Sequence, residues 1–292
     1  HFRFHQQPSA RGATDLKAHM RLDHAMRQAL VSGRFRLHYQ PQVRMADGRL
    51  VGAEALIRWR DPELGEVPPG RFIPVAEDSG FIVAIGDWVL SQAVRQGALW
   101  HESGHAVPIA VNVSALQFQQ THFVDRVASV LAVSALPPHL LELELTESIL
   151  VRDADEALAR LHALARLGVS LSIDDFGTGY SSLAYLKRFP VGKLKIDRSF
   201  VQGLPGDESD AGIVRAILQM ARALDMRVIA EGVETEVQRE FLEAAGCDEF
   251  QGFLYAPALD ALSFERHLHR QPSELPLPLP APLAAPHIRL VR

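Results

Sequence analysis

Five carboxylates, Glu54, Glu144, Asp174, Asp175 and Glu231, fall at or near the carboxyl ends of segments that read as β-strands, together with the amide of Asn112 and the ammonium of Lys195. If the chain brings them together, five like charges repel one another and are costly to desolvate, so some must take up protons or the site must hold cations. Hard oxygen donors from Glu, Asp and Asn suit Mg²⁺ or Mn²⁺ far better than zinc. Two such ions carry a charge of about +4 and Lys195 adds one more, which balances the five carboxylates. A single strand-end acid is as readily a helix cap or a rim ion pair. Six suitable residues spread over five strands point instead to one shared two-metal centre.

The elements that must position these groups are legible from periodicity. Strand patterns fall at residues 36–44, 50–59, 108–114, 140–146, 170–175, 193–197, 227–231 and 249–254. The turn Ala46-Asp47-Gly48 joins the first two, which makes them antiparallel. A Pro/Gly-rich stretch from Pro62 to Pro69 reads as a loop. Helical patterns follow near residues 71–79 and 82–101, then at 121–134, 153–167, 181–188, 210–224, 236–245 and 261–269. Within the strands, Leu141, Leu143 and Leu145 share one parity and Glu142, Glu144 and Thr146 the other. Leu171 and Ile173 oppose Ser170, Ser172 and Asp174, and Leu194 and Ile196 oppose Lys193, Lys195 and Asp197. Ile109, Val111 and Val113 likewise oppose Ala110, Asn112 and Ser114, and Ala53, Ala55 and Ile57 oppose Glu54 and Arg58. The apolar parity must face surrounding helices, so the polar parity faces inward.

Strands alternating with helices predict an α/β fold, a TIM-like (β/α)8 barrel with an antiparallel first strand, whose chemistry belongs at the carboxyl ends of its strands. An open doubly wound sheet would carry a glycine fingerprint after its first strand, and none is present. The chain has 292 residues, 47% hydrophobic and 22% charged, a globular composition long enough for one large barrel. Its formal charge of −5 excludes a general basic field for long nucleic acid, so a phosphate ligand would need a local source of positive charge. No stretch approaches a membrane span in length. The single cysteine, Cys247, excludes an internal disulfide framework and fits a reducing, cytoplasmic compartment, with membrane attachment of a longer parent protein left open. Residues 1–20 read as an N-terminal extension or linker, 21–270 as the barrel, and 271–292 as a Pro-rich tail; an amphipathic helix over 15–31 leads into the barrel.

The segment Glu54-Ala55-Leu56-Ile57-Arg58-Trp59 resembles the signature of the EAL domain family of cyclic di-GMP phosphodiesterases. The likeness runs from about Leu22 to about Leu259. It includes Tyr39-Gln40-Pro41, Phe72-Ile73-Pro74, Val111-Asn112-Val113-Ser114, Glu144-Leu145-Thr146-Glu147, the run from Asp174 to Leu183, Leu194-Lys195-Ile196-Asp197, Glu231-Gly232-Val233-Glu234 and Gln251-Gly252-Phe253. Each motif alone is weak; their order and spacing are specific. The resemblance implies that Glu54, Asn112, Glu144 and Asp174 hold one metal, and that Asp174 bridges to a second held by Asp175 and Glu231. It implies that Lys195 positions the attacking water or hydroxide, that Glu231 serves both metal and reaction, and that Glu147 anchors the loop Phe176–Leu183. Gln40, Leu56, Arg58 and Asp197 become substrate contacts, with Glu234 and Gln251 as supporting polar groups in the same mouth. The implied reaction opens cyclic di-GMP to linear pGpG with two Mg²⁺ or Mn²⁺ ions.

Some members of the family have lost ligands and act only as receptors; here every metal position is filled, which favours activity over a catalytically silent receptor module. The resemblance further implies a homodimer through the Phe176–Leu183 region. Arg3-Phe4 and the helix over 21–31 resemble the segment joining a GGDEF domain to an EAL domain, so an upstream GGDEF or sensor domain is expected. One departure is Ala256-Pro257-Ala258, where a basic residue followed by Pro is expected, which puts the pocket rim rather than the metals in question.

Two other motifs carry less. His101-Glu102-Ser103-Gly104-His105 matches a zinc-protease pattern, but it falls at a helix end where Gly104 breaks the shared helical face. Cys247 has no His nearby in sequence and reads as a small packed residue rather than a nucleophile.

Overall fold

The computed structural model describes residues 10–150, 154–177 and 186–268. Eight strands close into a barrel: β1 (Phe35–Arg44), β2 (Leu50–Asp61), β4 (Ile109–Val113), β5 (Leu141–Thr146), β6 (Ser170–Phe176), β7 (Lys193–Ile196), β8 (Arg227–Ala230) and β9 (Glu249–Phe250). Their order around the barrel is β1-β9-β8-β7-β6-β5-β4-β2, closed by a β1–β2 pairing. β1 is antiparallel to both of its neighbours, and every other barrel pairing is parallel. The expected TIM-like barrel with an antiparallel first strand is what the chain forms.

Local chemistry explains the elements. Asp47 accepts from the Arg49 amide and Gly48 takes a left-handed φ of 66°, which turns β1 into β2. The stretch expected as a loop after β2 contains a short strand instead, β3 (Gly65–Val67), paired antiparallel to Trp59–Asp61. Asp61 accepts from the amides of Glu63 and Leu64 and reverses the chain there. The last strand is shorter than the expected 249–254. Gln251 still donates its amide to Ala230, but Gly252 lies so close to Val233 that a Cβ would collide with its carbonyl oxygen and amide nitrogen, and the chain turns away through Tyr255. A one-turn helix at Ala115–Phe118, capped by Ser114, precedes the expected helix at Phe123–Ser134 and has no periodic signal of its own.

The leading helix starts earlier than expected and runs unbroken over Ala10–Val31, across the anticipated boundary at residue 20. The expected helix over 181–188 falls mostly outside the described residues, and the Pro-rich tail wholly so. The helix Ile82–Glu102 ends inside the zinc-protease-like motif, so its two histidines do not share a helical face. No helix among the described residues is long and apolar enough to cross a membrane.

The inward–outward parity holds. Leu141, Leu143, Leu145, Ile173, Leu194 and Ile196 are buried in the core cluster. Glu142, Glu144, Ser172, Lys193, Lys195 and Glu249 are also buried, and form the polar interior of the barrel. Because strand side chains repeat every two residues, β5, β6 and β7 each send a pair inward, Glu142 and Glu144, Ser172 and Asp174, Lys193 and Lys195, and Glu249 of β9 is joined by Gln251 just past that strand's end. The interior is therefore stacked in two polar layers, the upper one at the mouth.

Candidate active site at the barrel mouth

Lys195 organises the upper layer. Its side chain has no solvent exposure, and its Nζ lies 2.7 Å from Glu144 Oε2, 2.7 Å from Glu231 Oε1, 3.1 Å from Asp174 Oδ1 and 3.5 Å from Glu54 Oε2. Two amides complete the lattice. Asn112 Nδ2 donates to Glu54 Oε1 at 2.7 Å, and Gln251 Nε2 donates to Glu54 Oε2 and Glu231 Oε1. Gln42, which sequence reading did not single out, donates from Nε2 to Gln251 Oε1 at 3.3 Å and fixes which way that amide faces. Its inward parity on β1, two residues beyond Gln40, was the available signal.

Consecutive strand residues normally point to opposite faces, yet Asp174 and Asp175 both serve this mouth. The β6–β7 register shifts between Ile173 and Phe176, and Asp175 takes a φ of 53°. Such an irregularity re-aims a side chain, and Asp is one of the few residues that tolerates the left-handed region. As a result, carboxylate oxygens of Asp174, Asp175 and Glu231 all lie within 4.8 Å of one another.

Electrostatics divide these acids. Burial pushes Glu231 up to about 8, with Asp174 and Glu54 adding to the rise and Lys195 opposing it. Burial likewise raises Asp175 to about 6, reinforced by Asp174 and Asp197. Glu144 is raised well above the usual carboxylate range by burial and by the neighbouring Glu54. For Glu54, burial works upward but Lys195 and the amides of Gln251 and Asn112 outweigh it, leaving it below its usual value. Burial works against the Lys195 charge, and the surrounding carboxylates overcome it and hold the ammonium well above its ordinary range. Lys195 thus stays charged among acids of which some must carry protons.

The donor set fits divalent cations. All available ligand atoms are hard oxygens, and Glu144 Oε1 is buried without a hydrogen-bond partner while Oε2 is occupied by Lys195. Asn112 likewise spends its N–H on Glu54 and keeps its carbonyl oxygen for another partner. A buried acceptor with no donor is the deficit that a cation corrects.

The other expected residues lie around this lattice. Gln40 stands opposite Glu54 in the β1–β2 register and its amide reaches the Ala256 carbonyl at 3.5 Å. Leu56 and Arg58 line an adjoining cleft of about 280 Å³, with walls of Ile57, Ile73, Ile82 and Val89 and an edge at Asn112 and Thr146. Arg58 is half-buried, its guanidinium donating to the Ile57 carbonyl at 2.9 Å. Asp197 caps the short helix Arg198–Gln202 by accepting from the Ser199 amide, and neighbours Asp175. Glu234 is exposed at the rim, where the capping box of Thr235 and Gln238 starts the helix Glu236–Ala245. Glu147 is buried just beyond β5. The loop it is expected to anchor falls largely outside the described residues.

Comparison with known proteins agrees with this geometry. The family model described as "EAL domain" matches residues 23–258. The chain is 51% identical over 243 residues to the bifunctional diguanylate cyclase/cyclic di-GMP phosphodiesterase MucR of Pseudomonas aeruginosa, covering 83% of this chain and 36% of that protein. It is 44% identical over 250 residues to the cyclic di-GMP phosphodiesterase NbdA of the same organism, covering 85% of this chain and 32% of that protein. The chain therefore spans about a third of the length of these relatives. The solved structure of the PaMucR phosphodiesterase in complex with c-di-GMP matches with a TM-score of 0.81 and 51% identity, over 84% of this chain and 99% of that one. With the barrel, the inward acids and the matched span in agreement, the chain belongs to the EAL domain family.

Proposed function

We propose that this chain is a metal-dependent phosphodiesterase that hydrolyses cyclic di-GMP to linear pGpG, with Mg²⁺ or Mn²⁺ as its cations. The observation that carries the reading is the ring of Glu54, Glu144, Asp174 and Glu231 around the buried Lys195, with Asp175 beside it. Hydrolysis adds a water oxygen to one phosphorus and breaks its bond to the 3′ oxygen, leaving a 5′-phosphorylated dinucleotide. Two bound divalent ions would activate the water, neutralise the phosphodiester and stabilise the departing oxygen. Glu54, Asn112, Glu144 and Asp174 would hold one ion, and Asp174, Asp175 and Glu231 the other.

Within that frame Lys195 positions the attacking water with its fixed ammonium. Arg58 supplies positive charge to a phosphate, which an acidic chain must provide locally. The cleft beside Leu56, walled by Ile57, Ile73, Ile82 and Val89, offers an apolar surface for a nucleobase, with Gln40 and Glu234 as polar contacts at the rim. Asp197 bears on the dinucleotide from the Asp175 side. Glu147 acts on the loop that begins at Phe176, and the same loop carries the expected homodimer contact. An upstream GGDEF or sensor domain and a cytoplasmic setting complete the proposal. Support for a further domain comes from the relatives, of which this chain spans about a third.

The test is to incubate the purified chain with cyclic di-GMP and Mg²⁺ or Mn²⁺ and resolve products by chromatography. Appearance of pGpG supports the reading. Tight binding with no product, by protein whose oligomeric state has been checked in the centrifuge, makes the chain a receptor; no binding at all refutes both.

A further inference from the structure

Beneath the reacting groups lies a second ionic layer that the proposed reaction does not use. Lys193 Nζ lies 2.9 Å from Glu142 Oε2 and 3.0 Å from Glu249 Oε2, and all three side chains are about as buried as those above. Arg227, at the start of β8, lies 3.0 Å from the same Glu249. Each member stands two residues before a member of the upper layer in the chain: Glu142 before Glu144, Lys193 before Lys195, and Glu249 of β9 before Gln251, just past that strand's end. Two strand residues rise roughly 7 Å, so the lower triad is one pleat below the upper lattice.

The strands involved need such a tie. β9 has two residues and β7 and β8 four each, so few ladder hydrogen bonds hold them in register. β9 nevertheless delivers Gln251, whose amide bridges Glu54 and Glu231. A slip of that strand would withdraw the Gln251 amide from two candidate metal ligands, Glu54 and Glu231. Glu249, held by Lys193 from inside and Arg227 from outside, is what pins the strand laterally. Lys193 also grips Glu142, and so couples β9 to β5 through β7, the three strands that carry Gln251, Glu144 and Lys195. Glu142 Oε1, Ser172 Oγ and Glu249 Oε2 in the same layer are buried without hydrogen-bond partners, so Lys193 meets Glu249 as an ion pair and, among the described residues, no dense polar network is there to take over the task.

We propose that Lys193 is a positioning residue for hydrolysis: through Glu142 and Glu249 it clamps β5, β7 and β9 and fixes where Glu144, Lys195 and Gln251 stand at the mouth. This rests on the reading of the upper layer as a phosphodiesterase centre.

Two variants separate positioning from mere stability. Lys193→Met removes the clamp but strands the Glu142 carboxylate and leaves Glu249 with Arg227 alone; Lys193→Met/Glu142→Gln/Glu249→Gln removes the clamp and the uncompensated charges together. Thermal unfolding, Mn²⁺ affinity by calorimetry, and kcat and KM on cyclic di-GMP are measured for both and for the parent. The single variant is expected to melt lower, while the triple variant recovers the parental melting temperature. In the triple variant kcat should still be down about 10- to 100-fold, as a displacement of roughly 1 Å at the reacting groups would cause, with KM little changed. Mn²⁺ should bind it about tenfold more weakly, the usual cost of losing outer support for metal ligands. Recovery of parental kcat and Mn²⁺ affinity in the triple variant overturns the proposal, because Lys193 would then serve only to neutralise its neighbours. An inactive parent would instead refute the phosphodiesterase reading, and Mn²⁺ calorimetry would still report on the clamp.

Discussion

Loading the metal-free protein with divalent cations should expel protons, in a number set by the acids at the mouth. With Glu231 titrating at about 8 and Asp175 at about 6, Glu231 holds about 0.9 of a proton at pH 7 and Asp175 about 0.1. Glu144 is raised in the same direction by burial and by Glu54. A ligating carboxylate must be ionised, so Glu231 and Asp175 together release about one proton on full occupancy at pH 7. The direction follows from the raised values: below pH 6 Asp175 and Glu231 both resist ionisation and affinity is lowest, and it climbs until Glu231 has titrated near pH 8. At pH 7 the cost of ionising Glu231 alone is about 1.4 kcal/mol, so apparent affinity should rise about tenfold for each pH unit over this part of the range. Calorimetric titration with Mg²⁺ or Mn²⁺ in buffers of different ionisation enthalpy measures the proton count directly. A heat independent of buffer, together with an affinity flat from pH 6 to 8, would mean that these acids are already ionised in the empty site and that the electrostatic reasoning is wrong.

Three further outcomes follow from the geometry. Lys195→Ala and Glu231→Gln should each lower kcat by at least about 100-fold while dinucleotide binding survives in Ca²⁺, because the proposed function puts both, paired at 2.7 Å, at the point of reaction; near-parental rates in either would place the water elsewhere. Gly252→Ala forces a methyl group into the Val233 backbone and should destabilise the fold by about 2–4 kcal/mol, read as an earlier urea midpoint at unchanged slope. The Cys247 thiol is buried, and burial pushes it up to about 12, so a thiol reagent at pH 8 should label it only as fast as the protein unfolds; prompt labelling of the native chain would contradict that placement.

Most of the barrel was legible because its signal is repetitive. Alternation in Leu141–Thr146 and Lys193–Ile196 separates the helix-facing leucines from inward acids and lysines without any tertiary information. That parity also delivered Glu54, Asn112, Glu144 and Lys195 to one end. What escaped was local and non-periodic. β3 is three residues long, too short for alternation to register, and is defined by pairing with Trp59–Asp61 rather than by its own composition. The early end of β9 depends on the contact of Gly252 with Val233, which only the folded chain creates. The cooperation of Asp174 and Asp175 contradicts simple alternation, and becomes intelligible only with the register shift and left-handed backbone at Asp175. Gln42 was missed because an amide has no charge to flag it, although its side chain governs the orientation of Gln251.

The reversal of β1 decides where the chain enters. In a barrel of eight parallel strands the first one starts at the far end from the chemistry, and any preceding segment arrives at that remote floor. Here Phe35 pairs with Trp59 at the mouth end, so the helix Ala10–Val31 hands over the chain beside the barrel mouth. Arg27 lies 4.5 Å over the Phe81 ring and His19 lies 3.9 Å from Asp78, at the end of the helix whose Ile73 and Glu77 line the cleft beside Leu56. A twist or pull on that entry helix is therefore applied at the doorway of the candidate site, without having to travel the length of the molecule.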